Sequence, residues 1–279
     1  MIEDPPRSEI FEHPAPRSVP VPRILHQTWK SKIEIGEQFK FWRNSFFECN
    51  PGITGELYGD DDNRRLVEEF IPSLIEVYDS FPREIFRADF IRPVYMFFYG
   101  GLYADLDFQC LKPLYEIFSA KNTIILGTMG SDQGFANNIP NAMMASSPYQ
   151  GFWLGYLRNI ELAWTEIRKR CAPDPNPVHV TGPVILKRTV SEYHENLDLF
   201  KANTLSFIEN HNIRFRDATL FFDELVLLPP HAWYPLNWNH EIDRAFKNAI
   251  LKSNRRYSIE EARKRFPTSS AVTYWAHTW

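Results

Sequence analysis

Two rhythms of apolar and polar positions run through this chain. Alternation at every second residue marks strands, and recurrence every three to four residues marks helices. Strand-like runs fall at residues 23–29 (RILHQTW), 53–58, 123–128 (TIILGT), 141–147 (NAMMASS) and 225–228. Helical spacing covers residues 40–49, where Phe39, Trp42 and Phe46 share a face, and residues 63–70, 115–118, 151–170 and 184–193. Asp60, Asp61 and Asp62 precede the second of these helices, where carboxylates cap an N-terminus and suit its dipole. Short helical pieces are expected over residues 71–78 around Pro72. Strands alternating with helices predict an α/β fold, a mostly parallel central sheet flanked by helices.

The rest of the pattern is organised around residues 87–113 (RADFIRPVYMFFYGGLYADLDFQCLKP). Residues 84–99 form a broad apolar helical face through Ile85, Phe86, Phe90, Ile91, Val94, Tyr95 and Phe98. Pro93 lies inside it and removes the amide that would bond the Asp89 carbonyl. It either kinks this helix or starts a new one. After Gly100-Gly101, residues 102–108 alternate large apolar side chains with carboxylates, which predicts one strand with Asp105 and Asp107 on a shared face. Two carboxylates on an apolar strand are costly to bury without a neutralising partner. Hard oxygen ligands suit Mg²⁺ or Mn²⁺, which sit between one or two carboxylates and substrate phosphates. The alternative is a solvated pair at a strand end. The glycine pair and the apolar neighbours Leu102, Tyr103, Leu106 and Phe108 favour a buried strand running into a cleft.

Composition narrows the picture in three ways. A net charge of −4 gives no global basic field, so a nucleic-acid partner is not expected. Cys49, Cys110 and Cys171 are widely spaced and form no C-x-x-C, which argues against a zinc site or a disulfide framework. No apolar run of about 18 residues appears, and the acidic, proline-rich start is unlike a signal peptide. These features read as a soluble, cytoplasmic protein, or as one whose membrane anchor, in a Golgi-like lumen, lies outside this sequence. Residues 1–21 read as an extended proline-rich arm, and residues 22–279 as one domain. The stretch from Arg244 to Arg265 carries eight Lys/Arg and reads as a solvated helical face, with peripheral contact to anionic lipid as a secondary reading.

Several pieces together resemble glycosyltransferase family 32, the DXD-containing sugar-nucleotide transferases. That family includes the fungal initiating α-1,6-mannosyltransferase and the inositol phosphorylceramide mannosyltransferases. The pieces are residues 22–29 (PRILHQTW), Arg87-Ala88-Asp89 with Arg92, Gly100-Gly101-Leu102-Tyr103-Ala104-Asp105-Leu106-Asp107, Asn141, Thr181-Gly182-Pro183, Leu228-Pro229-Pro230 with Tyr234-Pro235, and His277 with Trp279. The resemblance implies a GT-A type nucleotide-binding fold and a metal-dependent, retaining hexose transfer. The donor is a nucleotide sugar, GDP-mannose or a UDP-hexose, and the acceptor a glycan or glycolipid.

By the same resemblance, Asp107 contacts Mn²⁺ (or Mg²⁺), Asp105 serves it through water or binds ribose, and His277 completes the metal shell or touches the diphosphate. Asp89 and Arg92 grip the donor sugar and phosphate. His26, Gln27, Thr28, Trp29, Arg87 and Asn141 make up the donor-binding set, with Trp29 at the base. Each has a plainer alternative: Arg87, Asp89 and Arg92 as a structural ion-pair cluster, Trp29 as core, His277 as a surface residue. Pro93 departs from the family pattern, and no matched residue carries the donor preference. Asp132 and Asp223 are the remaining candidate cleft acids. A catalytically silent sugar-nucleotide-binding module is the alternative function. Nucleotidyl or phosphoryl transfer is disfavoured because no P-loop pattern is present.

Overall fold

The computed structural model describes residues 19–276, except residues 131, 133, 171, 172, 216–218, 238, 239, 254 and 255. The proline-rich residues 1–18 and the predicted metal-side residue His277 lie outside the described residues. Val19, Pro20 and Val21 pack onto the turn at residues 120–122: Pro20 bridges Lys121, and the Val21 amide donates to the Ala120 carbonyl at 3.0 Å.

The first half of the chain follows the predicted alternation. β1 (Ile24–Thr28) leads to α1 (Glu37–Cys49), β2 (Thr54–Tyr58) and α2 (Asp60–Phe70), then a 3₁₀ turn at Pro72–Leu74 and the short α3 (Ile75–Asp79). The three aspartates lie within the first turn of α2, and Asp62 Oδ2 accepts the Gly59 amide at 2.9 Å. α4 (Glu84–Phe98) is one helix despite Pro93 in its interior. Gly100 and Gly101 follow at φ +63° and +91°, and they turn the chain into β3 (Gly101–Ala104).

Here the expected single strand over residues 102–108 divides. β3 ends at Ala104, and Asp105-Leu106-Asp107 forms a turn closed by the Phe108 amide on the Asp105 carbonyl at 3.1 Å. β4 (Phe108–Cys110) then joins a different, two-stranded sheet. The cause is the hand-over between sheets: a strand leaving one sheet for another must bend where its ladder stops. Alternation therefore predicted the shared side of the two aspartates, but it is the turn that brings both to one cleft.

α5 (Tyr115–Ser119), β5 (Thr123–Gly127), β6 (Met143–Ser146), α6 (Gly151–Lys169), α7 (Pro183–Glu195) and β7 (Glu224–Leu228) match expected elements, and a 3₁₀ turn at Pro177–His179, not anticipated from the sequence, precedes α7. α8 (Leu197–Asn210), the four-residue α9 (Pro230–Trp233) and β8 (Ala271–Thr273) have no counterpart in the sequence reading. The basic stretch resolves into α10 (Glu241–Ser253) and α11 (Ile259–Arg265).

The main sheet has the order β2-β1-β3-β6-β5-β7, and the small sheet pairs β4 with β8. In the main sheet only β6 runs against its neighbours, while the β1–β2, β1–β3 and β5–β7 pairs are parallel. The fold is therefore α/β with a mostly parallel central sheet flanked by helices, as expected. Period-two alternation sends Tyr103, Ile124, Leu126 and Met144 into the core beneath α4 and α6, and Leu25, Leu102, Ile125 and Met143 into the core on the opposite face. A third cluster, around Trp42, Leu236, Ile250, Phe266, Val272 and Tyr274, fastens α10 and α11 to the small sheet.

Candidate active site

The site forms where β3 leaves the main sheet. Parallel β1 and β3 end together, and antiparallel β6 begins beside them, with Ala104 opposite Met143. Ligands of open α/β sheets bind at the carboxyl ends of the strands. A cleft of about 350 Å³ opens at this edge, bordered by Asp89, Arg92, Asp105, Asp107, Asn141 and Trp275 among others. Five predicted site residues from three separate stretches thus share one hollow.

At its floor Arg92 bridges two carboxylates. Its Nη1 lies 3.0 Å from Asp89 Oδ1 and its Nη2 3.0 Å from Asp105 Oδ1. Nη1 also donates to the Asn141 carbonyl at 2.9 Å, and the guanidinium lies 4.9 Å from the centre of the Tyr103 ring. Arg92 Nε is buried with no hydrogen-bond partner. Asp89 accepts from Asn141 Nδ2 at 3.0 Å and from the Thr181 hydroxyl at 3.1 Å. The Tyr103 hydroxyl donates to Asp105 Oδ1 at 2.6 Å.

Asp107 is held differently. Its Oδ1 accepts from the Thr273 hydroxyl at 3.2 Å and its Oδ2 from the Ala276 amide at 2.7 Å. Burial, then the charge of Asp105, push its carboxyl up to about 6, against the lowering effect of those two donors and of Arg92. Burial also raises Asp89, opposed by Arg92 and reinforced by Asp105. Burial alone would lower Arg92, but the surrounding carboxylates, Asp105 foremost, lift it above its usual value.

Asp89 and Asp105 share the guanidinium of Arg92, and the like charge of Asp105 destabilises ionised Asp107. A hard divalent cation such as Mn²⁺ or Mg²⁺ fits this donor set, and Asp105 and Asp107 would hold it. Among the described residues no three His, Cys, Asp or Glu side chains form a protein cage of their own. One or two carboxylates that share an ion with substrate phosphates need no such cage.

The other predicted residues lie away from the cleft lining. His26 is buried in a stack with Tyr58, Tyr95 and Tyr99; its Nε2–H donates to the Gly100 carbonyl at 2.9 Å, so Nδ1 accepts from the Tyr58 hydroxyl at 3.1 Å. Gln27 Oε1 accepts from Arg43 at 2.5 Å while its buried Nε2 has no partner. The Thr28 hydroxyl accepts from Asn63 Nδ2 at 2.7 Å. Trp29 is 7% exposed, packs on Phe39, and donates its indole N–H to the Glu34 carbonyl at 3.0 Å. Arg87 pairs with Glu84 and donates to the Phe81 carbonyl, the ion-pair alternative weighed for it. Asp132 accepts the Gly134 amide at 2.8 Å and Asp223 accepts from Gln150 Nε2 at 2.7 Å; neither lines the cleft.

In the basic stretch, Arg256, Lys264 and Arg265 make ion pairs within the fold, and Arg263 donates to the Leu111 carbonyl. Sequence reasoning missed the supporting roles of Tyr103, Thr181, Thr273 and Trp275. For the last two a signal existed: residues 271–275 (AVTYW) alternate and are rich in β-formers.

Residues 27–126 match the family described as "Glycosyltransferase sugar-binding region containing DXD motif". Among curated relatives, inositol phosphoceramide mannosyltransferase 3 of Schizosaccharomyces pombe is 31% identical over 143 residues, 50% of this chain and 39% of that protein. Mannosyl phosphorylinositol ceramide synthase SUR1 of Saccharomyces cerevisiae is 27% identical over 240 residues, 78% of this chain and 63% of that protein. Each match thus spans less than two thirds of the relative's own length. Among solved structures, PaToxG glycosyltransferase is 14% identical with a TM-score of 0.48, covering 72% of this chain and 83% of that one. The family match and the curated relatives bear out the resemblance to glycosyltransferase family 32, and the matched region runs from the end of β1 into β5 and carries Asp89, Arg92, Asp105 and Asp107.

Proposed function

We propose that this chain is a divalent-metal-dependent, retaining glycosyltransferase of the GT-A type that moves a hexose from a nucleotide sugar to a glycan or glycolipid. The observation that carries this reading is the convergence of Asp105 and Asp107 on one cleft with the Asp89–Arg92 pair at its floor. The names of the relatives favour mannose as the sugar and an inositol-phosphate lipid as the acceptor. Among the described residues no helix is long and apolar enough to cross a membrane. Approach to a lipid acceptor would therefore rest on surface contact, with the exposed basic residues Arg244 and Lys252 of α10 as the first candidates.

In this reading Asp105 and Asp107 hold Mn²⁺ or Mg²⁺, whose chemistry is to offset charge on the departing diphosphate. The chain's own residues do the positioning. Arg92 holds Asp89 and Asp105 in fixed orientation. Asp89, fixed by Asn141 and Thr181, presents an acceptor to sugar hydroxyls. β1, which the resemblance gives the donor-binding residues, lies next to β3 in the sheet, although Thr28 and Trp29 do not line the cleft. The role of His277 on the metal side rests on the resemblance alone.

The test is a panel of GDP- and UDP-sugars with Mn²⁺, scored for released nucleoside diphosphate and for the anomeric configuration of any product. Turnover should require the metal, and Asp107→Asn should lower it by about 10²–10³-fold with the fold intact. Activity in excess chelator would sink the proposal. Nucleotide-sugar binding without turnover would favour a silent binding module instead.

A further inference from the structure

The last described residues bear on the cleft more closely than their distance in sequence suggests. β8 pairs antiparallel with β4, setting Thr273 opposite Phe108, and the Tyr274 amide donates to the Asp107 carbonyl at 3.1 Å. Period-two alternation turns Val272 and Tyr274 toward Trp42 and Leu236, which leaves Thr273 on the side of the Asp105–Asp107 turn. Thr273 is 1% exposed. Its hydroxyl oxygen accepts the Trp275 amide at 3.1 Å, so its one proton is directed to Asp107 Oδ1 at 3.2 Å.

The backbone then takes an unusual course. Trp275 adopts φ +48°, a left-handed conformation rare for a large side chain, and its indole borders the cleft. Strain of this kind concentrates at functional sites, where surrounding contacts over-determine it. Here the turn lets the amides of Trp275 and Ala276 converge, one on the Thr273 hydroxyl and the other on Asp107 Oδ2. Each carboxylate oxygen of Asp107 thus receives one hydrogen bond from the same terminal segment. Partners of this sort fix the orientation of a ligating carboxylate, and their loss costs about 10–100-fold in metal affinity.

We propose that Thr273 is a positioning residue for Asp107, and that residues 273–276 form a clamp that aims this carboxylate at the cation. The inference rests on the metal-dependent transferase reading and extends it to a residue outside the matched family region. Its test is Mn²⁺ binding to the purified chain, followed by the loss of the free-ion electron paramagnetic resonance signal, alone and with GDP or UDP. Thr273→Val removes the hydroxyl at similar volume and should weaken Mn²⁺ binding by about 10-fold or more. Thr273→Ser should restore it to near the wild-type value. A role confined to folding would instead lower the melting temperature and leave the titration unchanged. Should Thr273→Val not fold, Thr273→Ala supplies the hydroxyl-free comparison. Unchanged Mn²⁺ affinity in a folded hydroxyl-free variant, or no rescue by serine, overturns the clamp alone. A wild-type chain that neither binds Mn²⁺ nor turns over a sugar nucleotide overturns the transferase reading with it.

Discussion

At Arg92 a guanidinium with a side chain 3% exposed holds two carboxylates at 3.0 Å each. Removing one partner from a buried ion pair strands the others in a medium that penalises charge, at about 3–5 kcal/mol. Arg92→Met should therefore lose about that much stability in urea denaturation; no loss would mean that Asp89 and Asp105 do not depend on it. Arg92→Lys keeps the charge but not the planar fork that reaches both acids, so it should disorder the site more than it destabilises the fold. His26 makes a second residue-scale prediction. Burial lowers it to about 4, well below its unfolded value near 6.5. Between those values the unfolded chain binds a proton at this position that the native chain refuses. The stability His26 contributes is complete above pH 6.5 and falls away with pH, by about 3 kcal/mol at pH 4. Urea melts at pH 7 and pH 4.5 should show a steeper decline for wild type than for His26→Gln, and equal slopes would refute the assignment.

At the scale of elements, the join between α4 and β3 decides whether the carboxylates reach the cleft. Gly101 sits at φ +91°, and a Cβ there would lie 2.7 Å from the Ile24 carbonyl oxygen in the neighbouring strand. Gly100, at φ +63°, would meet the Ser146 carbonyl and the Pro148 nitrogen at the same distance. Alanine at either position combines backbone strain, about 1–3 kcal/mol, with a backbone clash that no rotamer relieves. Gly130 is the control: its φ is +68° but nothing lies within 4 Å of an added Cβ, so Gly130→Ala should cost only about 1 kcal/mol. Chemical denaturation of the three variants should rank Gly130→Ala mildest. A Gly101→Ala protein as stable as Gly130→Ala would show that β3 and β1 are not packed this closely.

For the whole molecule, the prediction concerns linkage between the cleft and global stability. A ligand that binds only the folded state adds about 2.7 kcal/mol at a hundredfold excess over its Kd. Mn²⁺ with a nucleoside diphosphate should raise the melting temperature by several degrees, more than either alone, and Asp107→Asn should abolish the metal-dependent part. Additive shifts that survive that substitution would locate binding elsewhere. The coupling has a structural route, because the elements that border the cleft belong to both sheets. Asp105 follows β3 of the large sheet, whereas Asp107 is gripped by β8 of the small one, so closing the site on a ligand ties the two sheets together.

The sequence by itself determined most of the element order through α7, though not the break between β3 and β4, together with the mostly parallel sheet and the cluster of acids, because these follow from local periodicity and from a motif contained within one short stretch. Asp89 and Arg92, three residues apart on a helix, had to share a side for the same reason. What only the tertiary structure decided was which distant partners complete the site. Asn141, Thr181 and the segment carrying Thr273 and the Ala276 amide are three stretches whose approach depends on strand order and on the turn at Asp105-Leu106-Asp107. His26 reads as a polar donor-binding residue in one dimension, yet neighbouring aromatic rings bury it, and Trp29 takes the core alternative weighed for it. Pairing across a sheet leaves no periodic trace in either strand, and so the clamp on Asp107 became visible only once β4 and β8 lay side by side.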